Sequence, residues 1–170
     1  GRVIVGVDMS GNEFRCLAHY IGKYDGGEWG RMVVESDIHT VNQRAAGLAT
    51  RDQAKTFLYA TLYGGGPAKI GSIVLPKASP AAQRRAGLEL KRRFIENTPG
   101  FGNVLAQVES CANKYGYVPG IDGRKLHVRK AHAALNVLLQ STASILSKRW
   151  MVEVDDRSEE PRLNSSHGYI

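Results

Sequence analysis

Residues 50–66 read TRDQAKTFLYATLYGGG, with Arg51, Lys55, Tyr59 and Tyr63 at strict four-residue intervals and a glycine run behind them. An α-helix turns by about 100° per residue, so a four-residue step returns to nearly the same direction. The spacing therefore predicts a helix on which two cations and two phenols form one gently winding stripe. Ala54, Leu58, Ala60 and Leu62 favour helix in the intervals. Gly64 is suited to end the helix because glycine tolerates positive φ. Arg51 and Lys55 alone would be an ordinary solvated pair; with both phenols and the glycine stop, the stripe presents one face to something anionic and flat.

Composition bounds the partner. Twenty-three Lys and Arg against 16 Asp and Glu give a formal net charge of +7, which favours a polyanion without separating nucleic acid from an acidic membrane. Cys16 and Cys111 lie far apart with no CxxC pair, which argues against a disulfide framework or a structural zinc site and suits a reducing compartment. No apolar run approaches the length of a membrane span and no signal segment opens the chain. A soluble, cytoplasmic protein is expected. The opening GRVIVGVD without Met and the closing HGYI suggest a piece of a longer protein whose 170 residues still suffice for one sizeable core.

Before the central stripe, residues 3–7 (VIVGV) read as a strand buried on both faces, delivering Asp8 to a strand-to-helix junction. In DMSGNEFRCLAHYIGKY, Phe14, Leu17, Ala18 and Ile21 form a helical apolar face. A carboxylate beside an exposed backbone carbonyl suits Mg²⁺, which prefers oxygen ligands. The alternative is that Asp8 or Ser10 simply caps the helix. Residues 24–35, with their glycines and Trp29, read as an exposed loop. Ser36 and Asp37 are capping candidates for a helix through SDIHTVNQRAAGLA.

After the central stripe, residues 64–79 read as a turn; no G-K-[ST] follows the glycines, so a P-loop is excluded. Residues 80–97 predict a helix starting at Pro80, basic through Arg84, Arg85, Lys91, Arg92 and Arg93. Another helix from Phe101 to about Lys114 leads into GYVPGIDGRKLHVR, which reads as a β-hairpin. In KAHAALNVLLQSTASILSKRWMVEV a long buried helix is expected, with His132, Asn136, Gln140, Ser144 and Lys148 at intervals of four and Leu135, Leu138, Leu139, Ile145 and Leu146 covering much of the rest. Asn136 and Gln140 are either packing amides or sequence-blind donors to the minor-groove acceptors that every base pair presents. Residues 153–170 read as a polar loop.

The string R-x3-K-x3-Y-x3-YG resembles motif B of the family A DNA polymerases. DMSGNEFR resembles their motif A, DxSxxE(L/I)R, with Phe14 where Leu or Ile is usual. HAALNVLLQSTAS resembles their AAxNxxxQGTAA segment, although bacterial members often carry Arg where His132 stands. DIHT so close before motif B, and Tyr59 rather than Phe, resemble the phage replicative members. The third family signature, a strand carrying His-Asp-Glu, does not follow; Asp155 and Asp156 lack the strand and the His and are rejected as catalytic.

This resemblance implies an α+β fold, the partial palm and fingers of a right-hand polymerase, mostly helical with a few antiparallel strands. Residues 1–34 would be palm, 35–115 fingers with the motif B helix at about 50–64, and 116–170 a return to the palm. The implied activity is template-directed DNA synthesis in DNA replication: addition of deoxynucleoside triphosphates to a primer 3′-hydroxyl with release of pyrophosphate. Asp8 and Lys55 would be catalytic, with Asp8 and the carbonyl of Met9 holding two Mg²⁺ ions. Glu13 would lie beneath the sugar and exclude a 2′-hydroxyl, while His39, Arg51 and Lys55 hold the triphosphate. Tyr59 would pack on sugar and base. Tyr63 and Gly64 would guard the template, and His132, Asn136 and Gln140 would touch the primer-template duplex. No membrane partner is implied, and nothing is implied of a processivity factor. A single-subunit RNA polymerase is the rival reading, disfavoured by Glu13. A non-catalytic nucleic-acid-binding fragment is the other, and inactivity is expected of the segment alone because it lacks the second aspartate.

Overall fold

The computed structural model describes Met9 and residues 11–158. The strand expected at residues 3–7, together with Asp8, Ser10 and residues 159–170, lies outside the described residues. Helix α1 spans Asn12–Asp25 and buries Phe14, Cys16, Leu17 and Ile21, the face that its apolar spacing implies, with Ala18 half-buried beside them. The region expected to be a loop instead contains α2, Glu28–Glu35, and Trp29 is buried at 2% exposure rather than exposed. Asp25 explains the difference: its carboxylate accepts from the backbone N–H of Gly27 and of Trp29, each at 2.8 Å, and so starts a second helix where the glycines weaken the helical signal.

Helix α3, Ile38–Ala46, starts at Asp37, whose side chain accepts from His39 N–H at 3.2 Å and from Thr40 Oγ1 at 2.9 Å. Helix α4, Arg51–Leu62, starts at Thr50, whose hydroxyl accepts from Gln53 N–H at 3.2 Å. The expected turn at residues 64–79 includes a short helix, α5, Pro67–Gly71. Helix α6, Pro80–Asn97, has the limits its sequence implies, with Ser79 accepting from Ala82 N–H at 3.3 Å. Helix α7 spans Phe101–Tyr115. Strands β1 (Tyr117–Pro119) and β2 (Lys125–His127) then form the antiparallel hairpin, pairing Tyr117 with His127 and Pro119 with Lys125.

A 3₁₀ turn, Ala131–Ala133, precedes helix α8, Ala134–Ser158. Two expectations fail here. The helix runs through Ser158 rather than yielding to a loop at residue 153, because residues 153–158 hold no glycine or proline to stop it. It is also only half-buried: Leu135, Leu138 and Leu139 are buried, whereas Gln140, Ser144 and Lys148 are exposed and Leu146 is 38% exposed. Its polar stripe therefore meets solvent rather than demanding internal partners.

Helix α1 ties these parts together. Asn12 Nδ2 donates to the carbonyl of Ala143 and to Ser147 Oγ on α8, both at 3.3 Å, and the Tyr20 hydroxyl bonds Thr142 Oγ1 at 2.7 Å. Lys23 Nζ and Tyr24 OH both donate to Gln107 Oε1 on α7, at 2.7 and 2.8 Å. An edge-to-face aromatic series joins α4, α6 and α7, with Phe57 5.4 Å from Phe94 and Phe94 5.1 Å from Phe101. Cys16 is buried and free, and burial, then the charge of Glu13, pushes its thiol up to about 11, which makes it a poor nucleophile. Among the described residues no helix is long and apolar enough to cross a membrane.

Helices α5 and α6 meet backbone to backbone. A Cβ on Gly71 would overlap the carbonyl of Gln83, and one on Gly87 would overlap the carbonyl of Pro67. A mid-helix glycine is unfavourable on propensity, so Gly87 is explained by this contact. Gly87→Ala should lower unfolding stability by about 1–3 kcal/mol, read by urea denaturation; an unchanged or raised midpoint would show that the two backbones are not in contact.

Candidate active site

The central stripe lies on the outer face of α4. Arg51, Lys55 and Tyr63 are exposed and Tyr59 is half-buried, while Ala54, Phe57, Leu58 and Leu62 fill the core side. The Tyr59 and Tyr63 rings stack with centroids 6.0 Å apart and planes 20° apart. Phe14 of α1 is 1% exposed; its ring lies 5.1 Å from Tyr59 and 5.8 Å, edge-on, from His39 of α3. One buried ring thus fixes the spacing between the histidine of one helix and the phenol of the next.

Arg15, Asp37, His39, Arg51, Lys55 and Tyr59 line an open cleft of about 410 Å³. Arg51 grips Asp37 through Nε to Oδ2 at 2.6 Å and Nη2 to Oδ1 at 3.1 Å. A guanidinium fork that matches a carboxylate also matches a phosphate in shape and charge, and here Asp37 fills it. The Arg51 hydrogen bond, followed by that of Thr40, holds the Asp37 carboxyl well below the usual range. Among the described residues Lys55 makes no ion pair. The cleft is therefore cationic apart from one carboxylate.

Burial, then the charges of Arg51 and Lys55, hold the His39 ring below its ordinary value, against the opposing influence of Asp37. Its Nδ1 is buried without a hydrogen-bond partner among the described residues. The neutral ring is thus the resting form near pH 7, and an anion entering the cleft would favour the imidazolium.

Met9, Glu13, Tyr59, Ser147, Trp150 and Met151 line a second cavity of about 440 Å³, which shares Gly11 and Tyr59 with the first. Tyr59 stands between them. Glu13 and Tyr59 line this cavity together, and burial, then the charge of Glu13, raises the Tyr63 phenol above its ordinary value. Of the two oxygen donors that the resemblance assigns to Mg²⁺, a hard cation, Met9 borders the cavity that Glu13 lines and Asp8 lies outside the described residues. No group of three or more potential metal ligands occurs among the described residues.

Gly64 takes φ +71°, and a Cβ there would lie 2.7 Å from the carbonyl oxygen of His132. The end of α4 and the start of the last helical segment are thereby brought together. His132 sits on the 3₁₀ turn, so it is not on the α-helical stripe that its spacing implied. Asn136 is half-buried and Gln140 exposed on α8, and neither lines either cavity. Asp37 was legible as a cap but not as the partner of Arg51, because fourteen residues of sequence and a helix-to-helix turn separate them. Arg15 closes the motif DMSGNEFR, although no role at the cleft was read from it; Trp150 and Ser147 carry no local signal for their place at the cavity.

Asp37→Ser retains a capping hydroxyl and removes the carboxylate. The titration of His39, followed by NMR, should then move to lower pH, since the influence that opposed Arg51 and Lys55 is gone; a move to higher pH would contradict this account of the cleft.

Comparison with known proteins shows the family. Residues 1–167 match the profile of DNA polymerase family A. The chain is 41% identical, over 181 residues, to the DNA-directed DNA polymerases of Enterobacteria phage T3 and Escherichia phage T7, an alignment covering 98% of this chain and 25% of each relative. The thermostable DNA polymerase I of Thermus aquaticus is 31% identical over 178 residues, covering 94% of this chain and 21% of that protein. In fold the chain is similar to the POL domain of Pol1 from M. smegmatis, solved in complex with DNA primer-template and dNTP, with a TM-score of 0.66 at 24% identity over 88% of this chain and 29% of that one. The chain spans about a quarter of the length of its phage relatives. With the profile matched across nearly its whole length and phage enzymes among its relatives, this chain belongs to DNA polymerase family A.

Proposed function

We propose that this segment forms the nucleotide-binding part of a DNA polymerase that extends a primer 3′-hydroxyl with deoxynucleoside triphosphates on a DNA template. The observation that carries the reading is the pairing of two cavities at Tyr59: a cationic cleft lined by His39, Arg51 and Lys55, and beside it a cavity lined by Met9 and Glu13. The first suits a triphosphate and the second a sugar and the reacting end of a primer. In this reading residues 1–34 and 116–170 contribute palm and 35–115 contribute fingers. The protein works on primer-template DNA in the cytoplasm, that of the host if it is phage-encoded.

Arg51 exchanges its carboxylate partner for phosphate oxygens when the triphosphate enters, and His39 takes up a proton as it meets the same charge. Lys55 neutralises the triphosphate and gives a proton to an oxygen of the departing pyrophosphate. Tyr59 packs on the sugar and base, and Glu13, across from it, fills the space that a 2′-hydroxyl would need. Tyr63 and Gly64 border the template, and His132, which touches Gly64, continues that border toward Asn136 and Gln140 on α8. Asp8 and the carbonyl of Met9 would hold two Mg²⁺ ions. The chemistry supplied with both ions bound is activation of the primer 3′-oxygen and neutralisation of the leaving group.

In the intact polymerase carrying this segment, Tyr59→Phe should strongly disfavour dideoxynucleotides, because the phenol hydroxyl replaces the contact that a missing 3′-hydroxyl would make. Equal dideoxy incorporation by both forms in primer extension would refute that role. Lys55→Ala should slow single-turnover extension by about 10²-fold or more with far less effect on DNA affinity; unchanged extension would count against the assignment. Because the resting His39 pKa is depressed and the bound anion raises it, nucleotide affinity should strengthen as pH falls from about 7.5 to about 6. His39→Gln should flatten that dependence, and a wild-type affinity that weakens on acidification would contradict the linkage.

A further inference from the structure

A second concentration of charge lies away from the cleft. Between residues 114 and 130, Lys114, Arg124, Lys125, Arg129 and Lys130 stand against Asp122 alone, so five minus one leaves +4 of the chain's formal +7. Asp122 is itself bound to Arg124. Helix α6 is basic too, but there Arg92 bonds Glu89 and Glu96 and Arg93 bonds Glu89, and among the described residues no aromatic ring stands over its cations.

The pleat of the hairpin sorts its side chains. Val118 is buried and Leu126 half-buried on one face, which leaves Tyr117, Lys125 and His127 on the other. There the Tyr117 ring lies 6.4 Å from His127 and 5.9 Å from Tyr115. Lys125 Nζ sits 5.0 Å above Tyr117 and Lys114 Nζ 4.9 Å above Tyr115. Tyr115 is 55% exposed, and Lys125, His127, Arg129 and Lys130 are exposed. Charged residues commonly protect a strand edge from pairing, but strands of three residues offer little edge, and that purpose does not call for three neighbouring rings on the solvent face.

We propose that the outer face of this hairpin binds the single-stranded template overhang of primer-template DNA. The inference rests on the polymerase reading above. Rings accept bases of any sequence by stacking, and cations track the phosphates between them. The path also leads to the right place: from β2 the chain passes through Arg129 and Lys130 to His132, whose carbonyl meets Gly64 at the end of α4 beside Tyr63. The basic strip thus ends where the template base is proposed to lie.

The test measures binding of the intact polymerase to fluorescein-labelled primer-templates by anisotropy, comparing an oligo-dT template overhang of about 20 nucleotides, well beyond one stacking site, with a minimal overhang. Wild type should bind the long overhang more tightly. Tyr115→Ala should remove about tenfold of that preference. Lys125→Ala with Arg129→Ala should reduce the slope of log affinity against log salt by about 1.4, roughly 0.7 for each phosphate contact. Because both cations are exposed, this pair serves if the tyrosine variant fails to fold. Unchanged overhang preference and salt slope, or equal losses on both substrates, would overturn the proposal, as would a preference for a displaced non-template flap over the template overhang. Wild-type extension of the minimal substrate is scored separately: its failure counts against the polymerase reading, whereas overhang discrimination reports on the hairpin.

Discussion

Phe14 is the fixed point of the site. Its ring is buried at the start of α1, between His39 and Tyr59, and α1 is in turn bonded to α7 and α8. Burying an aromatic side chain of this size stabilises the fold by about 1.5–3 kcal/mol, and here the same contact sets where two cleft residues stand. A smaller side chain would leave His39 and Tyr59 without their common wedge, so packing and chemistry are coupled at one residue.

The electrostatic pieces act by orientation more than by stability. The Asp37–Arg51 pair is exposed, and such pairs contribute little to folding, yet it presets a guanidinium fork at the mouth of a cationic cleft. Asp37 also caps α3 and holds Thr40, so the ion pair links the start of α3 to the start of α4. On α6, Arg92 and Arg93 close on the carboxylates of their own helix: Arg92, then Arg93, lowers Glu89 to about 2. Arg84, Arg85 and Lys91 still leave α6 with positive charge in excess, as at the cleft and on the hairpin.

Local signals in the sequence carried the elements that depend on local physics. The four-residue stripe of α4, the Pro80 start of α6 and the Pro-Gly and Asp-Gly turn of the hairpin all rest on propensity and turn chemistry, and all stand in the structure. Helix α2 carries Trp29, Met32 and Val33 at i, i+3 and i+4, but its short span behind Gly26 and Gly27 hid that face, and its start depends on the Asp25 side chain. The burial of α8 was overestimated because its leucines end near the middle of the helix, and the last turns are exposed despite Met151 and Val152. The meeting of Asp37 with Arg51, and of Gly64 with His132, depends on how helices return to one another, which no local spacing encodes.

The central claim is that the cleft beside Tyr59 receives the triphosphate. It is tested most directly with a primer ended by a dideoxynucleotide, so that the next complementary nucleotide binds without reacting, comparing dissociation constants for the triphosphate and the monophosphate in wild type, Arg51→Ala and Lys55→Ala. The account predicts that wild type prefers the triphosphate and that each variant loses about tenfold or more of that preference, as loss of a charge-assisted contact implies. A preference unchanged in both variants would place the phosphates elsewhere and contradict it.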